Sequence, residues 1–113
     1  MNTDIQPSDF EHSFAYNISD LIQRKIDSFL RGADTHMSMG HYIPVMSTGH
    51  LRVPAHVDPH TTAVSAIESV ARKHVEQKHP EFAVQSVELV HIDKPCQGDV
   101  RWSSYVIHFD RRA

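Results

Sequence analysis

Apolar residues recur at helical spacing along the first third of the chain, at Phe10, Phe14, Ile18, Leu21, Ile22, Ile26, Phe29 and Leu30. Steps of three and four place them on one side of a 3.6-residue helix, with Asp20, Gln23, Arg24 and Asp27 falling mostly off that stripe. Ser8-Asp9-Phe10-Glu11 has the form of a capping box: Ser8 can accept a backbone N–H while Glu11 reaches back. Gly32 supplies a stop. The pattern predicts a first helix over about residues 8–31, after a flexible tail over residues 1–7. Residues 8–113 read as a single domain.

The pattern then turns strand-like. Residues 40–57, GHYIPVMSTGHLRVPAHV, hold two β-like runs around Ser47-Thr48-Gly49, which reads as a turn. Pro44 and Pro54 lack ladder donors, so these two strands are expected to be edge-like. Asp58-Pro59 follows, with Asp suited to an N-cap and Pro to the first helical position. Val64, Ile67, Val70, Ala71, His74 and Val75 continue at helical spacing until Pro80, which predicts a second helix over about residues 59–79. Two β-rich runs, Ala83–Asp93 and Val100–Asp110, close the chain around the linker Lys94–Asp99. Period-two alternation places Val87, Leu89, Tyr105, Ile107 and Phe109 on one face, and Val90, Ile92, Trp102, Val106 and His108 on the other. The expected fold is therefore α+β in the order α-β-β-α-β-β, a four-stranded antiparallel sheet with two helices packed on one face.

Composition narrows the function. The chain has 113 residues, 40% hydrophobic and 22% charged, enough for one modest core. Lys+Arg is 11 and Asp+Glu is 14, and both halves of the chain are balanced, so there is no basic footprint for a nucleic acid. No apolar run approaches the roughly 20 residues of a membrane span. Met1–Pro7 carries no basic residue and no apolar core, so no secretory leader is expected. The single cysteine, Cys96, fits a reducing compartment, and a cytoplasmic protein is expected.

The ten histidines are the unusual feature. They are His12, His36, His41, His50, His56, His60, His74, His79, His91 and His108, five of them between residues 36 and 60. If Met46 pairs with Leu51 in a hairpin, Tyr42, Met46, Leu51, Val53, Ala55 and Val57 share a face. His41, Ile43, Val45, His50, Arg52 and His56 then share the other, with His41 directly across from His56. Opposed Cβ atoms lie about 4.5–5.5 Å apart, close enough for two imidazoles to hold one ion. His60 or Asp58 could add a third ligand and His50 could substitute, so His41, His56 and His60 are the candidate ligands for zinc or another divalent transition metal. Against this, Asp58 already has a capping role, and histidines of a hairpin commonly only meet water or backbone. His74 sits on the apolar stripe and is expected as a core or boundary histidine; His79 falls in the last turn of its helix.

Nucleophilic catalysis has little support. There is no G-x-S-x-G, P-loop or G-x-G-x-x-G pattern, and Lys94 is the sole sequence neighbour that could activate Cys96. The terminal hairpin, apolar on both faces, offers Trp102, Tyr105, Val106 and His108 as candidate partner-binding residues, since Trp and Tyr dominate interface hot spots. Period two makes one of Trp102 and Tyr105 a core residue if one face is covered. The segment from the second helix through Trp102-Ser103-Ser104-Tyr105-Val106-Ile107-His108-Phe109 resembles the helix-plus-hairpin modules of PepSY domains over less than half the chain. That resemblance implies topology and no functional residue.

The sequence thus reads as a small cytoplasmic non-catalytic protein-binding module of inhibitor or adaptor type. It is expected to act as a homodimer without a cofactor, and to bind neither nucleic acid nor membrane. The alternative is a histidine-rich metal-binding protein or metal-dependent enzyme built on the cluster at 36–60. A third reading makes the histidine load a pH switch on binding.

Overall fold

The computed structural model describes residues 7–37, 44–93 and 100–112. Its elements are α1 (Pro7–Met37), β1 (Val45–Pro54), α2 (Thr62–Lys78), β2 (Phe82–Ile92) and β3 (Val100–Arg111). The strands form one sheet in the order β1-β3-β2, with β3 antiparallel to both neighbours. β1 and β2 therefore run parallel, α2 carries the crossover between them, and β3 returns into the middle.

The fold is α+β with two helices, as the sequence predicts, but the sheet has three strands among the described residues, not four. Where the sequence predicts a hairpin at 40–57, the described residues hold a single strand, β1, and residues 40–43 lie outside them. β1 runs through Ser47-Thr48-Gly49, and its pairing to β3 steps from Ser47↔Val106 to His50↔Ser104. Two β1 residues, Thr48 and Gly49, therefore oppose Tyr105 alone, which is a β-bulge. Gly49 sits at φ 69°, in the left-handed region that glycine enters without a Cβ penalty. The extra residue shifts the side-chain phase, so Met46, Leu51 and Val53 are all buried despite the odd spacing from 46 to 51. A turn and a bulge produce the same phase change in sequence; here it is the bulge.

The bulge would leave the N–H of Tyr105 without a ladder partner. The fully buried hydroxyl of Thr48 accepts it at 3.1 Å and donates to the Gly49 carbonyl at 2.8 Å. β2 carries two further irregularities, at Gln85 and Val90. Arg72 of α2 donates to the carbonyls of Val84 at 2.9 Å and Gln85 at 3.4 Å, taking acceptors at the first of these. The second alters the expected faces: Ile92 pairs with the buried Ser103 and so belongs to the covered face, not with Trp102 and Val106.

The core lies between the helices and one face of the sheet. α1 contributes Phe14, Ile18, Ile22, Ile26 and Leu30 at strict four-residue steps, and Phe29 stacks on Phe109 at 5.8 Å. The helix does not stop at Gly32 but continues to Met37, since one interior glycine costs a helix only about 1 kcal/mol relative to alanine. α2 buries Ala63, Ala66, Ile67, Ala71, His74 and Val75. Its start lies later than the Asp58-Pro59 signal suggests. Asp58 accepts from the His60 N–H at 3.0 Å and the Thr61 hydroxyl at 2.6 Å, closing a turn ahead of the helix. These bonds, the Thr61 one first, hold the Asp58 carboxyl below its usual range. The turn aims the Pro59 carbonyl at the core, where the Tyr105 hydroxyl donates to it at 2.9 Å. Burial pushes the Tyr105 phenol up to about 12.

No helix among the described residues is long and apolar enough to cross a membrane.

Candidate functional site

The helices cover one face of the sheet, and among the described residues no element packs on the other. On the open face β1 presents Val45, Ser47, His50 and Arg52, while β3 presents Trp102, Ser104, Val106 and His108. β2 adds Ser86, Glu88 and His91 through their pairings with β3. Trp102 is 48% exposed, and Val90 and Val45 are 52% and 44% exposed. Isolated exposed apolar residues are ordinary; the half-exposed single tryptophan on the central strand is the more telling one, since Trp is enriched at interface hot spots.

Three ionisable side chains converge at the Trp102 end of this face. Ser104 of the central strand pairs with His50 on one side and His91 on the other. Strands sit about 4.8 Å apart, so the two histidines start from backbones about 10 Å apart across the sheet. Their rings nevertheless meet edge to face at 6.0 Å, and small Ser104 is left only 9% exposed. Asp93, just past β2, is fixed by donating its N–H to the Trp102 carbonyl at 2.8 Å. Its carboxylate meets His91 Nε2 at 2.6 Å through one oxygen and His50 Nε2 at 3.4 Å through the other. The three donor atoms lie within 4.8 Å of one another.

His50 also lines a groove of about 740 Å³ that wraps the free edge of β1. Phe14, Ile18 and Leu21 of α1 and Trp102 of β3 are its large apolar lining residues, and His50, Arg52 and His56 its polar ones. An apolar cleft with a few convergent polar groups is the usual form of a binding site.

A second cluster joins the helices. His74 and His79 of the α2 end both place Nε2 against the same Asp27 oxygen of α1, at 2.6 and 2.7 Å. His74 is buried at 8% exposure and also satisfies the expectation of a boundary histidine. The hydrogen bond from His79, then that from His74, holds Asp27 below its ordinary carboxylate range. Two donors on one oxygen form a clamp between helices.

Trp102, Val106 and His108 do share the open face, His108 facing Glu88 at 3.4 Å. Tyr105 does not: it is fully buried, because an odd step along β3 from Trp102 turns it toward the helices. His56 and His60 are exposed in the turn after β1, and neither belongs to a cluster of three ligand-type side chains among the described residues. His41 and Cys96 lie outside the described residues, as do the side chains of His12 and His36. The hairpin that would set His41 across from His56 is absent, because the chain does not turn back at Ser47-Thr48-Gly49. Sequence reasoning missed the His50–His91–Asp93 grouping. His91-x-Asp93 was visible as a local pair, but its approach to His50 depends on register through β3.

No protein-family model, curated protein or solved structure matches the chain.

Proposed function

We propose that the chain is a non-catalytic protein-binding module whose open sheet face receives a second copy of itself. The observation that carries this reading is the one-sided cover of the sheet by the described helices, which leaves Trp102 half exposed on the central strand, with Val106 further along the same row. Burying a tryptophan against a partner is among the most favourable single contacts an interface makes. The charge layout supports self-association. Arg52 lies at one end of the face and Asp110, exposed on β3, at the other. A two-fold axis lying between the two faces and perpendicular to the strands brings the Arg52 end of each copy toward the Asp110 end of the other, an isologous contact. Ser47 and Ser86, exposed on this face, are small enough to allow close approach of two such sheets, which pack about 10 Å apart.

Trp102 is the single tryptophan and reports directly on this face. Its fluorescence emission is expected to shift to the blue as protein concentration rises, because association removes the indole from water. Emission that stays at the water-exposed position at every concentration would contradict self-association through this face.

A further inference from the structure

We propose that His50, His91 and Asp93 form a binding site for a divalent transition metal ion, with zinc the ion whose ligand preferences fit best. Two imidazole nitrogens and one carboxylate are the donor types zinc takes, and three protein ligands leave a fourth position for water or an incoming donor. The donors come from both edge strands and from the segment after β2, and they meet over the smallest side chain of that row, Ser104. Folding does not require the meeting. His50, His91 and Asp93 side chains are 55%, 59% and 43% exposed, and exposed ion pairs add little to stability.

Geometry separates this cluster from the one between the helices. Zinc–ligand bonds of about 2.0–2.1 Å at tetrahedral angles put neighbouring donors about 3.3 Å apart. His50 already stands 3.4 Å from its Asp93 oxygen, and the two histidines use different oxygens of that carboxylate. The His91–Asp93 contact of 2.6 Å must open by about 0.7 Å to admit the ion. An exposed ring on an edge strand can make that adjustment by side-chain rotation. At Asp27 both contacts are short and share one oxygen, and His74 is packed in the core. That arrangement is already satisfied as hydrogen bonds, and an ion would have to break both.

The test is calorimetric titration of the untagged full chain with zinc alone. One ion per chain is expected, and His91→Ala and Asp93→Asn should each weaken binding by at least about ten-fold. His56→Ala and His60→Ala should bind as the wild type does. A readout that needs no variant is the histidine NMR spectrum of the wild type. Zinc should move or broaden the ring signals of His50 and His91 while those of His74 and His79 stay in place. Absence of saturable binding overturns the proposal. So does binding that survives both His91→Ala and Asp93→Asn, or zinc-induced change confined to His74 and His79.

Discussion

Thr48 accepts the backbone N–H of Tyr105 at 3.1 Å, so a side chain of the edge strand completes a ladder that the bulge interrupts. Both residues are fully buried, and no water can replace the bond. Thr48→Val keeps the shape and removes the acceptor. It should destabilise the fold by about 1–3 kcal/mol, the cost of a buried unsatisfied donor. Urea unfolding of the two proteins measures this; equal midpoints would show that the hydroxyl does not matter.

The two described glycines with side-chain surroundings resolved should respond in opposite directions. Gly49 occupies φ 69°, where an L-residue is strained, so Gly49→Ala should destabilise by about 1 kcal/mol although only Lys25 Nζ, at 3.6 Å, lies near the new Cβ. Gly32 lies inside α1 with nothing within 4 Å of a Cβ. Gly32→Ala should stabilise by roughly 0.5–1 kcal/mol, since alanine is the better helix former. Thermal or urea unfolding that finds the same sign for both would refute the assignment of these backbones.

Much of the fold was legible because periodicity is local. The α1 stripe from Phe14 to Leu30, the α2 stripe around Ile67 and Val75, and the β2–β3 hairpin all follow from spacing alone. The β1 error has a physical origin. Ser47-Thr48-Gly49 carries the residues of a tight turn, and the buried positions change phase across it, which both a turn and a bulge produce. What decides between them is whether β3 lies alongside the whole run, in pairings 46 to 63 residues apart in sequence. The same distance in sequence hid the site. His50 reaches His91 only through their common neighbour Ser104, and Asp27 reaches His74 and His79 only after two helices pack.

Asp27 sets the acid limit of the helix pair. Its carboxyl titrates below the ordinary value because His79 and His74 donate to the charged form. A depressed folded value stabilises the fold above the unfolded carboxylate pKa of about 3.9 and loses that contribution as pH falls through the lower folded value. Stability of the wild type should therefore drop below about pH 4 more steeply than that of Asp27→Asn. Asp27→Ala, which leaves buried His74 without this partner, should lose about 1–3 kcal/mol already at neutral pH. Urea midpoints across the acid range check both; identical acid slopes in wild type and Asp27→Asn would remove the clamp from the account.

Trp102 is the most exposed large aromatic of the open face and stands on its central strand. Trp102→Glu places a charge where a partner copy would sit and leaves the core untouched, so the monomer fold should survive. Native mass spectrometry of the untagged wild type and of Trp102→Glu at matched concentrations is the most direct measurement. A mass of two chains is expected for the wild type and of one chain for the variant. A wild type that is a single chain at every concentration, or a variant that dimerises as strongly as the wild type, would contradict it.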